Sequence, residues 1–563
     1  MTENEQATGH SHLGVISGLA VAHALLFGLA YPGAGLWPLT FVAAAPLVWL
    51  ALACPGANRR VLLPVFGAQL VLWLSLNAFV IDVTAVGYVL QAFYMGGYAV
   101  GFMWLLRSIG RVFRWPAALL APVVWVAVEF ARGELVFNGF PWFLAAHPAA
   151  EWPLLVQSAD LLGTYFVSFV VVMASGLVVD VVRFRAGALS RRALVTAAVV
   201  TVSVHAANLL YGVARIDPAP SEGPVVLAIQ TNLAQSNKMA WTARQQVQDL
   251  DMFVDLTLDA ERNAPVKPAL VLWPETMLPG FGLEPDAIRA SVEYGLREPE
   301  LFARTIADLA GRLGVPLLVG SPSYLGMRVE DGAWVWDAHY NSAYLVSSMA
   351  SMAPPYPRYD KSFLTPFGET MPYISAWPWL ESKLMAMGAG GMRFDLDANP
   401  DQTIFEVPWR DGTVRLATPI CFEVTMGRVC RRMVYIDGVK AVDVLVNLSN
   451  DGWFGSSDAG RRRHVQIARF RCVENRVPMI RSVNTGLSLA IDSSGRLIGP
   501  IDVTGNGPAA VLQEPGWVLA ELPLDRRSTV YGRIGDAWGW VCLLATSGLW
   551  VATVVLHRRE VMT

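Results

Sequence analysis

Charge is scarce in this 563-residue chain. Asp, Glu, Lys and Arg together make up 16% of it, where a soluble domain carries about a quarter. Apolar residues fill the difference, at 54% with a mean hydropathy of +0.40, so much of the chain must lie in lipid. The two signs nearly cancel, at a net −3 and a sequence pI near 6.3. There is no basic stripe with interleaved aromatics, which argues against a nucleic-acid partner. Cysteine is also sparse: Cys54, Cys421, Cys430, Cys472 and Cys542 form no C-x-x-C pair and join no histidines at zinc spacing. Neither a disulfide framework nor a metal site is expected, and Cys54 and Cys542 read as small hydrophobes in apolar segments. The opening MTENEQATGHSH lacks Lys and Arg, and no small-residue cleavage site precedes the second apolar run. The first run therefore reads as a retained helix, not a cleaved signal. Internal repeats and low-complexity tracts are absent.

Apolar runs of roughly the 20 residues needed to cross a bilayer occur at 13 to 30, 35 to 54, 61 to 80, 86 to 106, 115 to 131, 161 to 182 and 193 to 212, and again near 537 to 556. Arginines sit in every second connection: Arg59 and Arg60, then Arg107, Arg111 and Arg114, then Arg183, Arg185, Arg191 and Arg192, and finally Arg558 and Arg559. Short cytoplasmic loops hold the excess of Lys and Arg, so both termini are expected inside. The division that follows is a cytoplasmic tail over 1–12, a membrane domain with seven transmembrane helices over 13–212, a soluble domain on the outer side over 213–535, and an eighth helix with a short tail over 536–563. Glu129, near the end of the fifth run, is too costly to face lipid and is expected to pair with Arg132.

Within 213–535 the pattern changes to short β-branched runs: VVLAIQ (225 to 230), ALVLWPE (269 to 275), PLLVGSP (316 to 322), TVRLATPICFE (413 to 423), VDVLVNLSN (442 to 450) and MIRSVNTGLSLAID (479 to 492). Helix-like stretches at 243 to 262, 301 to 313 and 462 to 474 separate several of them, which suits an α/β domain.

Three segments at the ends of expected strands carry reactive side chains, where open α/β sheets place their ligands. Cys421 ends a strand and precedes a helix expected over 424 to 434, a placement whose N–H groups would favour the thiolate. Glu275 follows Trp273 and Pro274, and desolvation by such neighbours would raise its pKa toward that of a useful base. Lys361, between Asp360 and an apolar Phe-Leu pair, could fix an oxyanion. Singly, each has an ordinary reading: a buried structural cysteine, a solvated carboxylate, a surface ion pair of little worth.

Their co-occurrence in one order changes this. WPE (273 to 275), DKSFLTPFGE (360 to 369), PICFE, NLSNDGWFG (447 to 455) and HVQIARFRCVENRVPMIRSVNTGLS (464 to 488) together resemble the nitrilase, or carbon–nitrogen hydrolase, superfamily, and within it the membrane-bound apolipoprotein N-acyltransferases. VAVEFARGELVFNGFPWF (126 to 143), QSADLLGTYFVSF (157 to 169) and QTNLAQSNKMAW (230 to 241) extend the resemblance over nearly the whole chain. It implies an αββα sandwich beside about eight transmembrane helices. It also implies a triad of Glu275 as general base, Lys361 at the oxyanion and Cys421 as nucleophile, supported by Glu369, Glu423 and the backbone N–H of Phe422, with Trp241 as a possible substrate-facing residue. Phe422 stands where many relatives have Tyr, so no phenol can be essential there.

The reaction implied is a ping-pong acyl transfer at the outer face of a bacterial cytoplasmic membrane. A phospholipid acyl chain passes through a Cys421 thioester to the α-amine of a diacylglyceryl-cysteine apolipoprotein, without cofactor or metal, in a protein expected to be monomeric. Spans in such number suit two lipid substrates better than the alternative, a membrane-anchored nitrilase-type amidase, and a transporter with an inert domain has less support still. Two local expectations complete the reading. WPWL and KLMAMGAGGM, within 377 to 392, form an acyl-admitting lid, and Arg461 to Arg463 lie on a solvated or headgroup-facing loop.

Overall fold

Seven helices on the apolar runs precede the first strand in a computed structural model of the chain, which describes residues 3–53, 59–216, 221–234, 241–347, 354–374, 377, 379, 383, 396–499 and 514–562. They are α1 Glu3–Ala30, α2 Ala45–Ala53, α3 Arg59–Leu76, α4 Ala85–Phe113, α5 Ala117–Phe130, α6 Thr164–Arg185 and α7 Arg191–Arg215. Not every run becomes one long helix. The second is broken into a 3₁₀ turn at Trp37–Leu39, a single turn at Thr40–Ala43 and then α2, and α5 has only 14 residues, with Pro122 inside it. Length and composition alone qualify five helices of the described chain as spans: Leu13–Ala30, Ala85–Phe113, Thr164–Arg185, Arg191–Arg215 and, after the soluble domain, Ala537–Arg559.

Helix α5 is seated by what α6 offers it. The buried Asp180 carboxylate accepts the N–H groups of Ala117 and Ala118 at 2.8 and 2.9 Å, taking up two donors that the start of a helix leaves unpaired. Gly176 lets the backbones meet, since a Cβ there would lie 2.5 Å from Ala118 Cα. Glu129 and Arg132 do not form the expected ion pair. The segment 142–145 folds back between them: Glu129 Oε1 accepts Ala145 N–H at 2.7 Å, and Arg132 donates to the carbonyls of Trp142 at 2.7 Å and Phe143 at 3.3 Å.

The soluble domain is two six-stranded sheets face to face between helices. Its first sheet uses β1 Val225–Gln230, β2 Leu270–Trp273, β3 Leu317–Leu325, β4 Ala338–Val346 and β5 Arg358–Asp360, with α8 Ala243–Asn263 and α9 Glu298–Leu313 on its outer side. The second uses β6 Phe405–Trp409, β7 Gly412–Ala417, β8 Val444–Ser449, β9 Met479–Val483, β10 Leu489–Ile491 and β11 Leu497–Ile498, with α10 Gly427–Val434 and α11 Asp458–Asn475. Strand β12 Gly516–Glu521 returns to the first sheet, and α12 Ala537–Met562 closes the chain. The strand orders are β12-β1-β2-β3-β4-β5 and β11-β10-β9-β8-β7-β6, each with three parallel strands at its centre, β1-β2-β3 and β7-β8-β9.

Strand alternation makes the layers. Val226 and Ala228 of β1 face the core between the sheets, with Leu272, Leu416 and Val446, while Leu227 and Ile229 pack with Phe253 of α8 and Ile306 of α9. The expected run over 479 to 492 resolves into two antiparallel strands, β9 and β10. The same central core continues through Phe454 into Phe27, Tyr31, Trp73, Trp142 and Phe143 of the membrane helices and their loops, so the sandwich is packed onto them.

Candidate active site

Glu275, Cys421 and Asn450 all follow the carboxyl ends of central parallel strands, β2, β7 and β8, and Lys361 follows the edge strand β5. Two sheets packed face to face bring these ends together. Lys361 is the centre of the result, with none of its surface exposed. Its Nζ lies 2.7 Å from Glu369 Oε2 and 3.8 Å from Glu275 Oε1, and its main-chain N–H donates to the Asn341 carbonyl at 2.8 Å. Burial disfavours the ammonium, but Glu369 and then Glu275 outweigh it, so Lys361 is held above the ordinary lysine value and stays charged. Glu369 is the complement: burial would raise it, yet Lys361 and the Thr365 N–H, at 2.7 Å from Oε2, keep it below the usual carboxylate range.

Glu275 is aimed by two donors. Asn341 Nδ2 donates to Oε1 at 2.7 Å and the Asn450 N–H to Oε2 at 2.8 Å, while the Asn450 side chain is fixed by Asn484 Nδ2 at 3.1 Å. Asn341 and Asn450 were not singled out in the sequence. Their signal was an amide inside or just beyond an apolar run, HYNSAYLV and NLSND, where a buried polar group demands a partner.

Cys421 stands half-buried at the start of a 3₁₀ turn, Cys421–Thr425, that precedes α10. Its φ of 50° is left-handed, a conformation that costs a non-glycine residue about 1–3 kcal/mol and survives only where the surroundings impose it. The thiol is not the thiolate expected from the strand-to-helix placement. Burial, and next the charge of Glu275, push it well above the ordinary cysteine value, and Lys361 offsets only part. The helix that could have helped begins six residues later, at Gly427. Phe422, second in the turn, has an N–H that the turn's own bonding leaves unpaired, and its ring stacks 6.2 Å from Phe363.

Glu423 ties the lysine and cysteine loops together. Oε1 accepts from Tyr359 Oη, Ser362 N and Ser362 Oγ, each at 2.8 Å, and from Phe363 N at 2.9 Å, while Oε2 accepts Ile420 N–H at 2.8 Å. Burial raises its pKa, and these donors work against the rise. Trp241 lies on the approach to α8, where its indole N–H donates to Asp249 at 2.7 Å. The lid expected over 377 to 392 lies outside the described residues apart from Trp377, Trp379 and Lys383.

The arginine run is corrected. Arg461 and Arg463 belong to α11 and are buried at 2% and 6% exposure. Arg461 donates to the Gly455 carbonyl at 2.8 Å. Arg463 reaches the Leu76 carbonyl of α3 at 2.6 Å and lies over the Phe143 ring. Arg463 fastens the sandwich to the membrane helices, Arg461 closes the turn before α11, and Arg462 between them on the helix is exposed. Among the described residues no group of His, Cys, Asp and Glu is arranged to hold a metal ion.

Comparison with known proteins agrees with this architecture. Residues 23–177 match the model of the apolipoprotein N-acyltransferase N-terminal domain, and residues 228–535 match the carbon–nitrogen hydrolase model. The chain is 30% identical over 500 residues to the apolipoprotein N-acyltransferase of Rhizobium meliloti, covering 84% of this chain and 85% of that one. It is 27% identical over 557 residues to that of Geobacter metallireducens, covering 96% and 95%. Among solved structures, an amidase from Nesterenkonia sp. aligns over 54% of this chain and 92% of its own, at 15% identity and a TM-score of 0.34.

Proposed function

The chain belongs to the apolipoprotein N-acyltransferases, a membrane-bound branch of the carbon–nitrogen hydrolase family, and from that premise we propose a ping-pong reaction carried by Glu275, Lys361 and Cys421. The protein is an acyltransferase of the bacterial inner membrane. It moves an acyl chain from a membrane phospholipid to the α-amine of the N-terminal diacylglyceryl-cysteine of an apolipoprotein. In the first half-reaction the protonated Cys421 thiol gives its proton to Glu275 as Sγ attacks the ester carbonyl. The C–O bond breaks, Glu275 returns the proton to the departing glycerol oxygen, and a lysophospholipid leaves. In the second, the α-amine attacks the thioester, the C–S bond breaks, and Glu275 carries the amine proton to Sγ.

Each proposed role has a physical basis. Glu275 receives two hydrogen bonds from Asn341 and Asn450, which fix its direction. A thiol held above its ordinary pKa needs such a base at the moment of attack. Lys361 and the Phe422 N–H would meet the oxyanion of both steps, and Glu369 would keep the ammonium in place. The catalytic domain faces the outer side with both termini inside, by the placement of the connecting arginines, and the enzyme acts as a monomer.

The observation that carries this reading is a fully buried lysine between two carboxylates beside a cysteine at left-handed φ. The test is mass spectrometry of the full-length protein after exposure to phospholipid with acceptor withheld. An acyl mass on the Cys421 peptide, discharged by a diacylglyceryl-cysteine peptide, is expected. Failure to find it under single-turnover conditions, with hydrolysis of a short amide instead, would overturn the transferase mechanism in favour of an amidase.

A further inference from the structure

Arg428, on the first turn of α10, has contacts that the reaction above does not use. Its guanidinium carbon lies 4.9 Å from the centre of the Phe363 ring. That ring stacks in turn with Phe422, 6.2 Å away and with 16° between the planes. Guanidinium and two rings form one chain of contacts drawn from three places. Phe363 follows Lys361 by two residues, Phe422 adjoins Cys421 and carries the N–H proposed for the oxyanion, and Arg428 lies beyond the nucleophile turn. The chain of contacts therefore spans the gap between the lysine loop and the nucleophile turn.

The nitrogens of the guanidinium are held by the membrane domain. Arg428 pairs with the Glu134 carboxylate and donates to the main-chain carbonyls of Glu134 at 3.2 Å and Asn138 at 2.7 Å. The segment that offers these acceptors is rigidly built. Ala131–Leu135 prolongs α5 as a π turn. Phe137, Asn138 and Gly139 follow with φ of 52°, 64° and 100°, conformations that for the first two persist only where the surroundings impose them. A Cβ on Gly139 would fall 2.2 Å from the Gly133 carbonyl oxygen, so the reversal closes tightly on itself. Tyr165 of α6 donates to Glu134 Oε1 at 3.2 Å. On the other flank the Phe137 ring meets Phe367 and Tyr373 at 5.3 and 5.5 Å, in the loop that carries Glu369.

Arginine suits both tasks at once. Its planar fork donates in separate directions to a carboxylate and a carbonyl while its face remains free for a ring. A lysine ammonium could keep the charge pair but presents no plane. We infer that Arg428 is a positioning residue: anchored on residues 134–138 of the membrane domain, it braces Phe363 against Phe422 and so sets the distance between the two oxyanion donors, the Lys361 ammonium and the Phe422 N–H. The inference rests on Cys421 being the acylated residue. It makes the spacing of those donors depend on a segment outside the sandwich.

Thioester formation on Cys421 is measured in single turnover for the full-length protein with acceptor withheld, in nanodiscs where ester-linked phospholipid is diluted into its ether-linked analogue. Arg428→Met is expected to lower the maximal rate about 10- to 50-fold at an unchanged half-saturating fraction of ester lipid, inside the loss of about 10²-fold that a misplacement of about 1 Å can cause. Arg428→Lys, which keeps the charge and loses the plane, should match it. Phe363→Leu should be similarly slow, and the double variant Arg428→Met with Phe363→Leu no more than about threefold slower than the slower single, because both remove one chain of contacts. An unaltered rate in Arg428→Met, recovery in Arg428→Lys, losses that multiply in the double variant, or a loss confined to half-saturation would each overturn the inference. Should Arg428→Met not fold, the ring decides: Phe363→Tyr is expected about tenfold faster than Phe363→Leu, and equal rates for that pair would overturn the inference as well. An acyl adduct that persists in Cys421→Ala would instead overturn the mechanism on which it rests.

Discussion

Glu423→Gln tests whether the two catalytic loops are held by one carboxylate. The native side chain accepts five hydrogen bonds, four on Oε1 from residues 359–363 and one on Oε2 from Ile420. A glutamine can keep its oxygen on the crowded side, but its NH₂ then meets the Ile420 N–H, donor against donor. Orphaning one buried donor costs about 1–3 kcal/mol. The loss falls on the residue preceding Cys421, whose remaining strand contact is the Ile420–Leu448 bridge. If all of it is felt in the transition state, thioester formation slows by a factor of about 5 to 150. Glu423→Ala orphans the backbone donors of Phe363 and Ile420, leaves the Ser362 N–H only its 3.3 Å contact with Tyr359 Oη, and should be slower still. The assay is single-turnover acylation alongside thermal unfolding of the full-length protein. Acylation by Glu423→Gln at the unaltered rate, or Glu423→Ala no slower than Glu423→Gln, would refute the claim that this side chain sets the geometry between Lys361 and Cys421.

Four further outcomes are expected. Glu275→Gln removes a charge that raises the Cys421 pKa, so the pH midpoint for alkylation of Cys421 by iodoacetamide should fall while acyl transfer drops by about 10² or more for loss of the base; an unchanged midpoint would contradict the placement of Glu275 against the thiol. Lys361→Met should shift that midpoint the other way, since the ammonium lowers the thiol pKa, and a fall would be the contrary result. Asp451 is held down to about 2, with burial outweighed by His464 and Arg481. Its folded pKa is depressed, so it contributes stability above the unfolded carboxylate value that is lost as pH falls toward 2. The difference in melting temperature between the native chain and Asp451→Asn should therefore shrink between pH 5 and pH 2, and a constant difference would count against it. Finally, a cysteine introduced at exposed Ala186, between α6 and α7, should be labelled by an impermeant maleimide only after the membrane is opened. One at exposed Glu293 in the sandwich should be labelled in intact spheroplasts, and the reverse pattern would invert the proposed topology.

What the sequence made legible is what local patterning controls. VVLAIQ alternates because Val226 and Ala228 face the other sheet while Leu227 and Ile229 face helices, and β1 occupies the whole of it, 225 to 230. Motifs at strand ends could be read because chemistry in such sheets collects there. What stayed hidden depends on partners far along the chain. Three arginines in a row carry the local signature of a solvated loop, yet the acceptor of Arg463 is a carbonyl 387 residues earlier, and no local pattern encodes that. Glu129 and Arg132 are three residues apart on a helix, the spacing of an ion pair, but the incoming carbonyls and N–H of 142–145 offer both charges hydrogen bonds at once, which compete with pairing. The Cys421 pKa was misread for the same reason. The turn suggested a thiolate, whereas burial first, and then the carboxylate of Glu275 from the opposite sheet, push the thiol up. In each case the partner is brought in by tertiary packing from a distant segment, which no local pattern specifies.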